Sequence, residues 1–245
     1  MAKLSKRIKL VIFKNMFWLL RQKHNLDKIE KQNTLSLDER FAYAQKILNR
    51  YHKSAKISVL STGVEQLPAD LKGCIFYGNH QGAEDCPAIL HTIKDFPTSY
   101  LIDSETAKKG YMKYVLHLLK AKPLDMKDLR SQLRVYQEMA EEIEREGRRF
   151  IIFPEAGYQN NHNALLDFHT PCFMPAIKSH CPIIPFCLYD SWKAFEDKTL
   201  KPVTVQCHIL KPIYYEEYKG MTKQDLAILV KERIQEKLDE LASKE

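Results

Sequence analysis

Asn79-His80-Gln81-Gly82-Ala83-Glu84-Asp85 is the stretch from which the fold and chemistry of this chain are best interpreted. It follows the apolar run 74–77 and precedes the segment 86–90, a pattern typical of a strand, a loop and a helix start. A histidine and an aspartate five positions apart can face each other across such a loop. The carboxylate then holds one ring nitrogen and the other nitrogen points outward as a base. Spacing alone equally allows Asp85 to cap a helix and His80 to be a turn residue, so both interpretations stay open at this point.

Three further blocks follow this stretch in a particular order. They are Pro123-Leu124-Asp125-Met126-Lys127-Asp128, then Phe153-Pro154-Glu155-Ala156-Gly157-Tyr158, and last Pro182-Ile183-Ile184-Pro185-Phe186. Together the four blocks resemble those of the lysophospholipid acyltransferases, the family of 1-acyl-glycerol-3-phosphate acyltransferases. The resemblance covers roughly residues 56–215. It implies direct acyl transfer from acyl-CoA or acyl carrier protein as co-substrate, with no cofactor and no metal.

The resemblance also implies roles for individual residues. His80 is expected to take the proton of the acceptor hydroxyl, while Asp85 fixes the tautomer of its ring. Backbone N–H groups of the Gly82 or the Gly157 loop are expected to bind the oxyanion, and the sequence does not choose between them. Glu155 is expected to contact the acceptor, with a loop or helix-start carboxylate as the alternative. The predicted substrate-contacting residues are Asn79, Gly82, Lys127, Arg130, Glu155, Gly157, Tyr158 and Lys178.

The chain departs from the family at the two positions that usually bind the phosphate of the acceptor. Met126 stands where the second block commonly has an arginine, and Ala156-Gly157-Tyr158 replaces Gly-Thr-Arg. A phosphate in a partly dry pocket needs charge-assisted donors. We expect Lys122, Lys127, Arg130 or Lys178 to substitute, so that 1-acyl-glycerol-3-phosphate is converted to phosphatidic acid. The alternative is an acceptor with another head group, such as a different lysolipid or a glycolipid.

The positive charge of the chain is concentrated at its N-terminus. Residues 1–31 contain nine lysines and arginines and two acidic residues, which accounts for the whole formal charge of +7. The other 214 residues contain 29 basic and 29 acidic residues, which argues against a broad nucleic-acid-binding surface.

The apolar run 10–20 lies inside this basic segment. It is too short, and too interrupted by Lys14 and Asn15, to cross a hydrocarbon core. With Phe13, Phe17 and Trp18 on one face and lysines beside them, it suits a helix lying on a lipid bilayer. Packing of that helix on its own domain is the alternative. We therefore expect a peripheral or monotopic protein at the cytoplasmic face of the cell membrane.

Alternating strand and helix patterns predict an α/β fold: a single domain with a mixed β-sheet flanked by helices, preceded by an amphipathic N-terminal helix. Expected strands lie near residues 57–60, 74–77, 98–102, 150–153, 183–188 and 203–210. Expected helices cover 37–53, 87–94, 109–119, 129–147 and a C-terminal segment that starts at Thr222. We divide the chain into a helical membrane-association segment, 1–54, and an acyltransferase domain, 55–245.

Other classes of function have weaker support. The six cysteines form no C-x-x-C pair and suit reduced core positions, and no G-x-S-x-G elbow is present. His162, His169, Cys172 and Cys181 match no common zinc-ligand spacing. A non-catalytic lipid-binding protein of the membrane surface, and a thioester hydrolase, remain as alternatives to the transferase.

Overall fold

A computed structural model describes residues 5–108, 112–196 and 199–244. The helices are α1 (Lys6–Gln32), α2 (Leu37–Ala55), α3 (Asp85–Thr92), α4 (Ser104–Ala107), α5 (Met112–Leu118), α6 (Leu129–Glu146), α7 (Met174–Ser179), α8 (Lys193–Glu196), α9 (Tyr215–Tyr218) and α10 (Lys223–Ala242). The strands are β1 (Ile57–Thr62), β2 (Cys74–Gly78), β3 (Ser99–Asp103), β4 (Lys122–Leu124), β5 (Arg149–Ile152), β6 (Ile183–Tyr189) and β7 (Val203–Ile209).

The strands form one seven-stranded sheet in the order β1-β7-β6-β2-β5-β3-β4. Strands β6, β2, β5, β3 and β4 run parallel to one another, whereas β7 is antiparallel to β6 and pairs in parallel with β1. The sheet is therefore mixed, as the sequence predicts. Because β2, β5 and β6 are neighbours in the same direction, the loops that follow them meet at one edge of the sheet, here called the carboxyl edge.

Helices cover both faces of the sheet, which explains why the central strands are continuously apolar. All residues of β2 and β6 are buried. One core, on the side of α2, α3 and α5, contains Phe41, Ile47 and Phe76. The other, on the side of α6, α7 and α10, contains Tyr136, Phe173 and Val230. The amphipathic patterns of α2, α6 and α10 in the sequence point to these same faces.

The first two helices belong to the packed structure, because α1 lies along α2 and α5. Arg7 of α1 is 1% exposed. Its guanidinium donates to the backbone carbonyls of Ala55, Ala194 and Lys201. Asn15 hydrogen-bonds Ser54 and Arg50 of α2, and Arg50 lies 4.7 Å from the ring centroid of Trp18. These contacts fix the orientation of α1 on the domain.

The opposite face of α1 is open to solvent. Phe13 and Phe17 are 83% and 81% exposed, and Ile12, Met16 and Leu20 are exposed beside them. Helix α1 therefore packs on the domain with one face and exposes apolar side chains on the other. The sequence analysis presents these two arrangements as alternatives. None of the helices in the described ranges is long and apolar enough to cross a membrane. The division at residue 54 falls at the end of α2 and stays a prediction.

Most expected elements are present, with boundaries shifted by one to three residues. Thr222 and Asp225 form the expected capping box of α10. The predicted helix 109–119 falls partly on residues 109–111, which lie outside the described ranges. Strand β4 was not predicted, because it has only three residues and contains Pro123.

Candidate active site

His80 and Asp85 lie at the carboxyl edge of the sheet, in the loop between β2 and α3. The His80 Nδ1 atom lies 2.5 Å from Asp85 Oδ2. A carboxylate only accepts hydrogen bonds, so in the neutral ring Nδ1 carries the proton and Nε2 has the lone pair. The side chain of His80 is 21% exposed, whereas that of Asp85 is fully buried. The predicted pairing of the two side chains is present, with Nε2 turned away from the carboxylate.

The Asp85 carboxylate is fixed by donors on both oxygens. Oδ2 also accepts the backbone N–H groups of Gln81 and Gly82, and Oδ1 accepts the hydroxyl of Ser191. Ser191 is itself fully buried, and its backbone N–H donates to the Gln81 side-chain oxygen. The position of Asp85 is thus set by its own loop and by the residues that follow β6.

Glu155 lies beside this loop, and both of its oxygens are occupied by backbone donors. Oε1 accepts the His80 N–H at 2.9 Å, and Oε2 accepts the Leu166 N–H at 2.9 Å. Burial raises the pKa of Glu155, and the two backbone hydrogen bonds oppose that shift. The side chain thus holds the backbone of His80 and the loop at Leu166. The predicted contact of Glu155 with the acceptor stays a prediction.

Asn79 has a different role from the predicted substrate contact. Its side chain is fully buried; Nδ2 donates to the Leu188 carbonyl at 2.9 Å, and Oδ1 accepts the Leu188 N–H at 2.7 Å. This two-way pairing ties the end of β2 to β6. The preceding Gly78 faces the Phe186 ring so closely that a Cβ atom there would lie 2.2 Å from it. The prediction for Asn79 is therefore corrected to a structural tie.

The two glycines proposed for the oxyanion differ in what their amides do. The Gly82 N–H donates to Asp85 Oδ2 at 2.8 Å, so it is not available to a substrate, and its predicted contact is corrected. Among the described residues, the Gly157 N–H donates to no partner, and the space beside its Cα is open. Of the two glycines, Gly157 is therefore the one whose N–H could bind the oxyanion. That role stays a prediction.

Aromatic rings form the wall around the His80 ring. Phe153 stacks on it with centroids 4.5 Å apart, and Tyr158 meets it edge-on at 4.9 Å. Tyr158 is 45% exposed. Burial raises the pKa of its hydroxyl, and the nearby carboxylates of Asp85 and Glu196 add to that shift. Tyr158, which occupies the place of the usual arginine, therefore lies against the His80 ring.

The predicted cations lie in different places. Lys127 and Arg130 are exposed after β4, at the same carboxyl edge as His80. Three inter-strand spacings, about 14 Å, separate β4 from β2. The Lys178 side chain donates to Gln137 on the outer surface. Lys178 lies four residues before Pro182, whose carbonyl accepts the N–H of Ile75 at the start of β2. Lys178 is therefore corrected: it lies toward the opposite end of the strands from His80.

Lys122, the fourth candidate for the phosphate, is already paired. Its ammonium lies 2.6 Å from a Glu142 oxygen and 3.3 Å from a Glu138 oxygen. Four basic side chains were considered for binding the phosphate. Of these, Lys127 and Arg130 lie at the carboxyl edge of the sheet and form no ion pair with the described residues.

The loops that surround His80 contain many more acidic than basic residues. The segments 79–85, 153–169 and 190–196 contain one lysine, Lys193, which pairs with Asp190 at 2.6 Å. The same segments contain six carboxylates, which are Glu84, Asp85, Glu155, Asp167, Asp190 and Glu196. Asp167 pairs with Lys231 of α10 at 3.2 Å. The other carboxylates disfavour a free phosphate directly beside the His80 ring.

The cysteines provide no nucleophile at this site. Burial raises the pKa of the Cys86 thiol, and the neighbouring Asp85 carboxylate raises it further. A thiol that resists ionisation is a poor nucleophile. All six cysteines are free, in agreement with the prediction of reduced residues. No group of three or more metal-ligating side chains occurs in the ranges that the structure describes.

Sequence reasoning missed several residues that organise the site. Ser191 and Gln81 orient Asp85 and its loop, and Asn163 bonds both Gln81 and Asp190. Ser191 lies two residues after the end of the buried strand β6. Because site residues of α/β sheets follow the carboxyl ends of strands, this position could have indicated a role in the site. Glu84 also bonds two side chains of α2, a long-range contact that no local pattern indicates.

Comparison with known proteins agrees with this geometry. A family model described as Acyltransferase matches residues 58–189, more than half of the chain. The chain belongs to the acyltransferase family. The matched region begins in β1, ends with β6 and contains the His80 and Asp85 loop.

One curated relative and one solved structure extend the comparison. The chain is 27% identical over 157 residues to "1-acyl-sn-glycerol-3-phosphate acyltransferase BAT2, chloroplastic" of Brassica napus. The aligned segment is 62% of this chain but 44% of that protein, so this acyltransferase matches less than half of the relative's length.

The fold is similar to the crystal structure of the 1-acyl-sn-glycerophosphate acyltransferase PlsC from Thermotoga maritima, with a TM-score of 0.76. The match covers 96% of this chain and 95% of that one at 18% identity, so it shows a common fold.

Proposed function

We propose that this acyltransferase moves a fatty acyl group from an acyl thioester, acyl-CoA or acyl carrier protein, to a hydroxyl of a lysophospholipid. The observation that carries the proposal is the His80 Nδ1–H hydrogen bond to buried Asp85, which leaves Nε2 as a base on the open side. The name of the Brassica napus relative makes 1-acyl-glycerol-3-phosphate the first acceptor to consider.

The reaction needs a base, an oxyanion site and a return path for the proton. His80 Nε2 takes the proton of the acceptor hydroxyl as its oxygen attacks the thioester carbonyl, and Asp85 stabilises the resulting imidazolium. The Gly157 N–H binds the oxyanion of the tetrahedral intermediate. As the carbon–sulfur bond breaks, the imidazolium gives its proton to the leaving sulfur, and ester and thiol are released.

The central role of His80 predicts that His80→Ala loses acyl transfer by about a thousandfold, because general-base catalysis contributes about 10²–10⁴-fold. Release of free thiol from acyl-CoA is measured with and without a lysophospholipid acceptor. Cys86→Ala is the control, since its thiol takes no part, and it should keep wild-type rates.

Thiol release that needs no acceptor would instead indicate a hydrolase. Near wild-type transfer by His80→Ala would contradict the mechanism. Binding of lipid without any thiol release would favour the non-catalytic alternative.

A second candidate acceptor is favoured by one observation. Tyr158, rather than an arginine, lies 4.9 Å from the His80 ring, in loops that contain six carboxylates. An acceptor without a phosphate monoester, such as an uncharged lysoglycolipid, suits this surrounding better, whereas the phosphate acceptor depends on Lys127 and Arg130 reaching it.

The two acceptors are distinguished by removing those two cations. If 1-acyl-glycerol-3-phosphate is the acceptor, Lys127→Ala with Arg130→Ala should raise its KM at least about tenfold, because charge-assisted bonds are lost. Rates are compared for lysophosphatidate, a lysolipid with a larger head group and an uncharged lysoglycolipid.

Tyr158→Arg is the complementary change, with Tyr158→Phe as its control. For an uncharged acceptor, the cation double variant should leave KM unchanged. Tyr158→Arg should then improve use of lysophosphatidate. If the enzyme prefers lysophosphatidate and none of these substitutions changes that preference, both the phosphate acceptor bound by Lys127 and Arg130 and the uncharged acceptor are contradicted.

The proposal includes attachment to the cytoplasmic face of the cell membrane through α1. The exposed face of α1 presents Phe13 and Phe17, and the helix also exposes Lys9, Lys14 and Arg21. Aromatic side chains that enter the acyl boundary and lysines that meet anionic head groups support this arrangement.

Attachment through α1 predicts that Phe13→Ser with Phe17→Ser weakens binding to anionic vesicles by about a hundredfold, from the burial of two large apolar side chains. Co-sedimentation with vesicles measures it. Ile228→Ser, which changes an exposed apolar residue of α10, is the matched control and should bind normally. Equal sedimentation of all three proteins would exclude α1 as the attachment surface.

A further inference from the structure

Glu84 is a buried carboxylate that the proposed reaction does not use. It is 0% exposed and directly precedes Asp85. Its Oε2 accepts the hydroxyl of Tyr51, and its Oε1 lies 2.7 Å from His52 Nε2. Burial raises the pKa of Glu84, whereas the bonds from His52 and Tyr51 lower it. A carboxyl group in such a place destabilises the fold unless it is fully paired, so its presence needs a reason.

Helix capping does not explain Glu84. It occupies the residue before α3, where a carboxylate commonly accepts the first free N–H groups of the helix. Its side chain makes no such bond and turns instead to α2. Direct proton transfer does not explain it either, because a side chain without solvent exposure cannot reach a substrate.

The partners of Glu84 connect the catalytic loop to the N-terminal helices. Tyr51 and His52 lie in the last turns of α2, between Arg50 and Ser54. Both Arg50 and Ser54 hydrogen-bond Asn15 of α1. Helix α2 therefore links α1, which it contacts through Arg50 and Ser54, to Glu84 and the start of α3, which it contacts through Tyr51 and His52.

The start of α3 is also where the catalytic geometry is set. Asp85 is the first residue of α3, and one of its oxygens serves His80, Gln81 and Gly82 together. A small movement of this helix start lengthens all three hydrogen bonds at once. Misplacement of a catalytic group by about 1 Å can lower a rate by about a hundredfold.

We propose that Glu84 is a positioning residue that fixes the Asp85 and His80 pair to α2, so that the N-terminal helices complete the catalytic site. The inference rests on the proposed function, since it assumes that His80 is the base. It assigns α2 a part in catalysis that is separate from any binding of α1 to a membrane.

The test measures kcat and KM of the full-length protein in detergent micelles, where attachment to a bilayer is not needed. Glu84→Ala should lower kcat by about ten- to a hundredfold, with KM for the thioester within about twofold. Glu84→Gln, which keeps the length and one acceptor oxygen, should recover part of that loss. Tyr51→Phe should lower kcat by a smaller factor.

Tyr218→Phe is a matched control for Tyr51→Phe. Tyr218 is also a buried tyrosine, and its hydroxyl donates to the Cys181 carbonyl on the other face of the sheet. All rates are measured well below the melting temperature of each variant, followed by circular dichroism. Tyr218→Phe should lower the melting temperature about as much as Tyr51→Phe does and leave kcat unchanged.

A double variant separates positioning from general loss of stability. If Glu84 acts through Asp85, adding Glu84→Gln to Asp85→Asn should lower kcat little further. Wild-type kcat in Glu84→Ala and Tyr51→Phe, or equal losses in Tyr51→Phe and Tyr218→Phe, would overturn the inference. If those outcomes occur while His80→Ala is inactive, the proposed function still holds. Activity of His80→Ala would instead refute the proposed function itself.

Discussion

The Asp85 carboxylate is the constraint on which the rest of the site depends. It is fully buried and receives the His80 ring, two backbone N–H groups of its own loop and the Ser191 hydroxyl. A single misplaced donor would leave a buried charge short of a partner, which is costly. The elements that carry these donors must therefore arrive together. The parallel neighbours β2 and β6 achieve this by delivering their two loops to one edge of the sheet.

The same logic explains why several polar side chains of the motif are bonded within the protein. Asn79 ties the loop to β6 and Glu155 holds the His80 backbone from the loop after β5. Glu84 extends to α2. Each is anchored to a different element, so the base is oriented from several directions. In the proposed reaction, the groups that meet the substrate are the His80 ring, the Gly157 N–H and the ring of Tyr158.

The sequence was sufficient for the fold class, the mixed sheet and the pairing of His80 with Asp85, because these follow from local patterns and ordered motif blocks. The three-residue strand β4 escaped prediction, since a short run with a proline has no strand signal. The hydrogen bonds of Asn79 and Glu155 could not be predicted, because they depend on which distant backbone group lies within reach. Ser191 shows the same limit: it lies 106 positions from Asp85 in sequence and contacts it directly in the fold.

The central claim is that Asp85 holds His80 in the form with the proton on Nδ1, which frees Nε2 to act as the base. The most direct test is nitrogen-15 NMR of the histidine rings in the folded protein, with the His80 signals assigned by comparison with His80→Gln. The account predicts a neutral ring protonated at Nδ1 in the wild type, and loss of that preference in Asp85→Ala. A neutral wild-type ring protonated at Nε2, with Nδ1 unprotonated beside Asp85, would contradict it.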